Sequence, residues 1–183
     1  MLLPVYGYGQ PVLKKKSLDI SPDYPGLTKL IDDMWETMYH AHGVGLAAPQ
    51  IGLGIRLFVI DTDQIEREGN PGFKKVFINA QVLEESGEVW SYEEGCLSIP
   101  DIRGDVERHA LVRIRYQDEQ FAWHEEQFEG FNARVIQHEY DHIEGVLFTE
   151  RLKPIRRRLI QRKLEAIRQG KVSADYKIKF AVR

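Results

Sequence analysis

The sequence predicts an α+β fold, with strands packed around one central helix and a second, peripheral helix near the C-terminus. Three observations lead there. Apolar residues recur at spacings of three and four over residues 25–41, 130–143 and 154–169, the period of a helix with one buried face. Short apolar or alternating runs lie between and after them, bounded by turn residues, as strands are. No repeat, low-complexity stretch or composition break divides the 183 residues. That length suits one domain spanning 1–183, with a core large enough to need no staples.

The elements follow in order. Over 25–41 the helical stripe is Leu27, Leu30, Ile31, Met34, Trp35 and Met38, and Gly43 is expected to end it. Residues 55–61 form an apolar run suited to a buried strand. A polar loop follows over 61–72, with Asn70-Pro71-Gly72 as a turn. Residues 75–83 mix Val, Phe and Ile and read as the next strand. Over 110–116, Val112, Ile114 and Tyr116 alternate with Leu111, Arg113 and Arg115, the period of a half-buried strand. Residues 120–128 are its expected hairpin partner across Gln117-Asp118-Glu119. Residues 130–143 form the central helix, 154–169 a second long helix, and 176–182 a terminal strand.

Composition narrows the class. An apolar fraction of 43% and a charged fraction of 29% are those of a globular protein. No apolar run approaches the roughly 20 residues of a membrane span. The first residues lack the basic start and apolar core of a signal peptide. The single cysteine, Cys96, has no internal disulfide partner and suits a reducing compartment, so the expected location is cytoplasmic. Charge is segregated: residues 1–150 carry 13 Lys/Arg against 26 Asp/Glu, whereas residues 151–183 carry 12 against 2.

The central helix carries Gln137-His138-Glu139-Tyr140-Asp141-His142. Four residues apart, His138 and His142 project from one face about one turn apart, and two imidazoles so placed can bind one transition metal. Glu139 can reach a water at that metal without being a ligand, the arrangement used for metal-assisted hydrolysis. A surface helix with two chance histidines is the bland alternative; the glutamate and the apolar lead-in of Phe131, Val135 and Ile136 argue against it.

Two further segments join it. Cys96 lies in Glu94-Gly95-Cys96-Leu97-Ser98-Ile99-Pro100. A lone cysteine is most often a small buried hydrophobe, but Gly95, Pro100 and a charged Glu94 are odd company for a core thiol. A thiolate with two imidazoles gives three ligands and leaves a fourth position open, the layout of a catalytic site. The run Gly43-Val44-Gly45-Leu46-Ala47-Ala48-Pro49-Gln50-Ile51-Gly52 has small residues that let backbone groups line a cleft. In it Gln50 offers a neutral amide to a developing oxyanion.

Together the three segments resemble the peptide deformylase family, marked by a Gly-x-Gly-Leu-Ala-Ala-x-Gln loop, a Glu-Gly-Cys-Leu-Ser segment and a Gln-His-Glu-x-Asp-His helix. All three stand here in that order, within a match over roughly residues 1–155, and the Cys-Leu-Ser-Ile-Pro form looks like the type 1 bacterial enzymes. The resemblance implies removal of the N-formyl group from the initiator methionine of nascent chains, by a monomer in the bacterial cytoplasm. It implies Cys96, His138 and His142 as metal ligands and Glu139 as general base and acid. It adds the Leu97 N–H beside Gln50 as an oxyanion donor and a main-chain bond from Gly45 to the formyl amide. Thiolate and imidazole suit zinc and iron alike; the resemblance favours Fe(II), with Zn, Ni or Co as substitutes, and implies sensitivity to hydroxamate-type inhibitors.

Helix spacing places Phe131 and Val135 on the metal-bearing face, where they can wall an apolar pocket that Val44 and Tyr92 close. Arg134 is expected to snorkel outward, Arg103 to contact the substrate backbone, and Asp141 to orient a ligand or pair with an arginine. His40, His42, His109 and His124 read as surface residues. The second helix and its flanks add Arg151, Lys153, Arg156, Arg157, Arg158, Arg162, Lys163, Arg168 and Lys171 beside a stripe of Leu152, Ile155, Leu159, Ile160, Leu164 and Ile167. Its stripe is expected to pack on the domain and its basic face to dock on the phosphate-rich ribosome. Two competing readings remain. A zincin-like metallopeptidase would take a third ligand from Glu144 or Glu150, and an inactive metal-stabilised protein would use the basic tail to bind RNA.

Overall fold

The computed structural model describes residues 1–65, 69 and 71–182; Asn70 of the expected turn lies outside them. After strand β1 (Val5–Tyr6) comes helix α1 (Leu27–His40), then β2 (Gly45–Ala47), β3 (Leu57–Asp61), β4 (Lys74–Cys96), β5 (Ile99–Gln117) and β6 (Trp123–Glu129). Helices α2 (Gly130–Ile143), α3 (Pro154–Leu159) and α4 (Gln161–Arg168) follow, then β7 (Ile178–Lys179). One sheet has the order β2-β3-β4-β5-β6 with every neighbour antiparallel, and β1 pairs in parallel with β7 in a second, two-stranded sheet.

Two helices lie on opposite faces of the large sheet, which is why β3 reads as a continuous apolar run. Its residues are all buried. Leu57 and Val59 pack with Ile31, Met34 and Met38 of α1, while Phe58 and Ile60 pack with Phe131, Val135 and Ile136 of α2. Burying each such side chain is worth about 1.5–3 kcal/mol, so α2 is held centrally by its apolar residues and its polar ones are carried inside with it. A third cluster joins Ile99, Ile102 and Val106 of β5 to Leu152, Ile160, Leu164 and Ile167.

Several expected boundaries are corrected. Helix α1 ends with His42, not Gly43, in the left-handed conformation (φ 59°), while the Gly43 N–H bonds back to the Met38 carbonyl. The strand expected over 75–83 runs on to Cys96. Residues 84–89 are mostly exposed and carry little apolar pattern, and they are held by pairing with β5, with a bulge at Gly87 (φ 76°) between Ser86 and Val89. The partner expected over 120–128 starts three residues later, because Asp118 accepts the Gln120 and Ala122 N–H groups and closes the turn first. The single helix over 154–169 is two, broken at Ile160. Residue 160 is buried, but α3 buries nothing: Ile155 and Leu159 are exposed, so no packing holds α3 in line with α4. The terminal strand shrinks to two residues. No helix among the described residues is long and apolar enough to cross a membrane.

Candidate active site

Residues of all three motifs line one cavity of about 760 Å³, with His142 buried behind it. Helix α2 brings His138, Glu139 and His142. The tight turn between β4 and β5, closed by the Cys96–Ile99 pair, brings Cys96. Ligand atoms of Cys96, His138 and His142 lie within 4.8 Å of one another, and Cys96 Sγ is 3.4 Å from His142 Nε2.

Glu94 organises this cluster. It is buried and accepts from Arg108 Nε (2.7 Å), Arg108 Nη2 (3.1 Å), Arg134 Nη1 (2.7 Å) and His138 Nδ1 (2.9 Å). Burial alone would raise its pKa, but the His138 and Arg108 hydrogen bonds outweigh it and hold the carboxyl well below the usual range. An ionised carboxylate only accepts, so the proton on His138 sits on Nδ1 and Nε2 is left for a metal. Burial and the neighbouring positive charges hold His142 well below the ordinary histidine value, leaving the neutral ring that ligation needs.

Glu139 is 4% exposed, and its Oε2 has no hydrogen-bond partner among the described residues. Burial, against the pull of His138, pushes its carboxyl up to about 7. Gly45 makes room for it: a Cβ there would stand 2.6 Å from Glu139 Oε1 and 2.8 Å from its Cγ. Gln50 sits in a 3₁₀ turn (Ala48–Ile51) after β2. Its Oε1 accepts the Ala47 N–H (3.0 Å), which turns Nε2 toward Cys96 Sγ (3.4 Å) and Ser98 Oγ (3.2 Å). The donor set fits a divalent transition metal, since thiolate and imidazole are its usual soft and borderline ligands. The orphaned Glu139 oxygen beside it fits a proton acceptor for water.

Every other expected site residue lies on this cavity. Val44, Gly45, Tyr92, Leu97, Arg103, Phe131 and Val135 line it. Arg103 stands exposed at the rim, held by Glu93 through its side chain (3.1 Å) and backbone carbonyl (3.0 Å). Arg134 is corrected: it does not snorkel outward but is 2% exposed. It donates to Glu94, to the Val106 carbonyl (2.7 Å) and to the Trp90 carbonyl (2.6 Å), with its guanidinium 4.4 Å from the Trp90 ring centroid. Glu94, odd company for a core thiol by its charge, is itself buried: two arginines balance that charge and His138 adds a hydrogen bond.

Asp141 pairs with Arg108 (3.0 Å) and with Arg151 (2.6 and 2.8 Å), which takes Arg151 out of the free basic face. Arg156 likewise donates to the Arg103 carbonyl (2.9 Å). Glu144 is engaged by Arg56 (3.3 Å) and Tyr140 (2.7 Å), and Glu150 accepts the Leu147 N–H (2.7 Å). Neither acid belongs to the Cys96–His138–His142 group, so the metallopeptidase reading loses its third ligand. Sequence reasoning missed Arg108, although its even-numbered register with Ile102 and Val106, alternately buried on β5, was a signal. It also missed Ser173 to Tyr176, which line the cavity from across the molecule with no local signal.

Known proteins resemble this chain over most of its length. The model of the polypeptide deformylase family matches residues 2–158. A peptide deformylase of Flavobacterium johnsoniae is 54% identical over 190 residues, covering 99% of this chain and 97% of that protein. One from Cytophaga hutchinsonii is 51% identical over the full length of both. Among solved structures, the Thermotoga maritima peptide deformylase is 41% identical with a TM-score of 0.75, covering 84% of this chain and 99% of that one. Peptide deformylase 1B of Arabidopsis thaliana, in complex with an inhibitor, is 33% identical with a TM-score of 0.83, covering 92% of each. The chain therefore belongs to the polypeptide deformylase family, a family of enzymes.

Proposed function

We propose that this chain is a metal-dependent hydrolase that removes the N-formyl group from the N-terminal formyl-methionine of newly synthesised proteins, with residues 1–183 acting as one catalytic domain. One observation carries the reading: a thiol and two imidazoles converge beside a buried carboxylate oxygen that has no partner among the described residues. Cys96, His138 and His142 hold the metal, Fe(II) in the cell, with Zn, Ni or Co able to substitute. When bound, that ion supplies Lewis-acid polarisation and acidifies water toward neutral pH.

The chain's own residues do the rest. Glu139 accepts the proton of the attacking water and returns one to the departing nitrogen as the formyl C–N bond breaks, so the products are formate and a free amine. A carboxyl that burial raises above its ordinary value holds a returned proton more readily than an exposed one. Gln50 Nε2 and the Leu97 N–H donate to the formyl oxygen as it gains charge; one such donor is typically worth about 10²–10³ in turnover. The Gly45 main chain orients the formyl amide. Val44, Tyr92, Phe131 and Val135 wall an apolar slot for the methionine side chain, and Arg103 steadies the peptide at the rim. Hydroxamate-type inhibitors occupy the same cleft.

The enzyme works as a cytoplasmic monomer, and the exposed basic residues of α3 and α4 dock it on the ribosome. Co-sedimentation with ribosomes should weaken steeply with salt and fall when Arg157, Arg162 and Lys163 become Gln, with turnover on short peptides unchanged. The activity itself is tested by formate release from a formyl-Met-Ala peptide by the Fe(II)-loaded protein under anaerobic conditions. Cleavage of internal peptide bonds with the formyl group retained would refute it.

A further inference from the structure

The segment after α4 returns across the molecule to the cleft. Ser173, Asp175 and Tyr176 line the same cavity as Cys96, Leu97 and Glu139, although the family match stops at residue 158. It is fastened there by the small sheet. The Val5 N–H bonds to the Lys177 carbonyl (2.9 Å) and the Gly7 N–H to the Lys179 carbonyl (3.0 Å). The Gln10 side-chain amide adds bonds to the carbonyls of Lys179 (3.2 Å) and Phe180 (2.9 Å).

From this anchorage both strands reach the turn that joins β4 to β5. The Tyr176 hydroxyl donates to the Leu97 carbonyl at 2.7 Å. The next carbonyl, that of Ser98, accepts the Tyr8 N–H at 2.9 Å, and Tyr8 lies just beyond β1. Ser98 Oγ is held by Gln50 from inside. The turn that presents Cys96 and the Leu97 N–H is thus held by three bonds, two of them from residues that flank β1 and β7.

We propose that Tyr176 is a positioning residue, fixing Leu97 so that its N–H stays aimed at the oxyanion, and that β1 and β7 form the clasp that holds Tyr176 in place. The proposal rests on the deformylase reading of the site. The Tyr176 bond is made to Leu97's own carbonyl. Without it, Leu97 gains torsional freedom and its N–H swings off line. Losing an oxyanion donor costs about 10²–10³ in turnover, so loosening one should cost part of that, about three- to thirtyfold. The contact strengthens as charge develops, so the loss falls on kcat and not on KM.

The test compares metal-loaded parent, Tyr176→Phe and Gln10→Ala, each checked for metal content. Tyr176→Phe should melt within about 4 °C of the parent, as expected for one lost hydrogen bond. Its kcat on a formyl-Met-Ala peptide should fall about three- to thirtyfold with KM changed less than about twofold. Amide hydrogen exchange over residues 97–99 should quicken about tenfold, following the opening of the turn. Gln10→Ala, which loosens the clasp without altering the cleft, should move exchange and kcat in the same direction by less. Unchanged kcat in Tyr176→Phe, a rise in KM in its place, or a rate loss without faster exchange over the turn would overturn the proposal. So would parent-like exchange and kcat in Gln10→Ala. Formate release by the parent tests the underlying reading separately, because exchange over the turn reports on the clasp whatever the substrate.

Discussion

Replacing Glu94 with Gln removes the charge on which the interior of the site is built. The carboxylate accepts four hydrogen bonds from Arg108, Arg134 and His138. Those arginines are 5% and 2% exposed, and among the described residues their one other anionic partner is Asp141, on Arg108 (3.0 Å). A glutamine supplies one acceptor and turns an NH₂ group toward a guanidinium. Breaking a buried ion pair by removing one partner costs about 3–5 kcal/mol. In a domain of this size each kcal/mol moves Tm by about 2–4 °C, so Tm should fall by about 6–20 °C. Circular dichroism melts at pH 7, with zinc in large excess so that occupancy stays equal, measure it. The pH dependence has a defined sign. Glu94 is held below its ordinary value, so its contribution is full above the unfolded pKa of about 4.3 and fades as pH falls through the folded one. The gap between parent and Glu94→Gln should be constant from about pH 6 to 8 and narrow below about pH 4. Loss of the His138 anchor should also weaken metal binding about 10–100-fold. A Tm within about 2 °C of the parent at pH 7 would refute the argument, since even one lost charge-assisted bond exceeds that.

Gly45→Ala should lower kcat by at least tenfold while metal content holds, because the new Cβ displaces the Glu139 carboxylate 2.6 Å away and small misplacements of a catalytic group are costly; a parent-like kcat would show that Glu139 can shift freely. Cys96→Ser should lose most bound metal on dialysis, as a neutral hydroxyl replaces a thiolate ligand, and metal analysis at full occupancy would remove Cys96 from the site. Glu139→Gln should keep the metal and lose about 10²–10⁴ in turnover, the usual worth of a positioned acid–base group; loss of metal with activity would make Glu139 a ligand.

Helix α2 was legible from sequence to the residue, because its apolar period and its ends coincide at Gly130 and Ile143. The His138–Glu139–His142 group was legible for a different reason: donor chemistry at fixed local spacing needs no knowledge of the fold. Cys96, in a distant segment, was joined to it only by the chemistry of a third donor and by the family resemblance, and the fold then brings its sulfur beside His142. What pairs with what across the fold was not. Arg134 reads as a solvent-seeking residue until Glu94, forty positions earlier, is placed beside it. The second half of β4 carries no periodic signal because residues 84–89 face water on most sides, and its strand character comes from β5 opposite. Tyr176 shows an alternating neighbourhood but nothing of where that strand goes. Ile155 and Leu159 continue an apolar stripe by spacing, yet both stand exposed on α3.

All of this converges on one claim, that Cys96, His138 and His142 hold a metal beside Glu139 to cleave a formyl C–N bond. The most direct measurement follows formate and free amine together, from a formyl-Met-Ala peptide, by anaerobically prepared protein of known metal content. Equal amounts of formate and amine should appear in proportion to bound Fe(II), stop on chelation and return when Fe(II) is restored. Full metal occupancy with no formate released, or formate release indifferent to the chelator, would contradict the account.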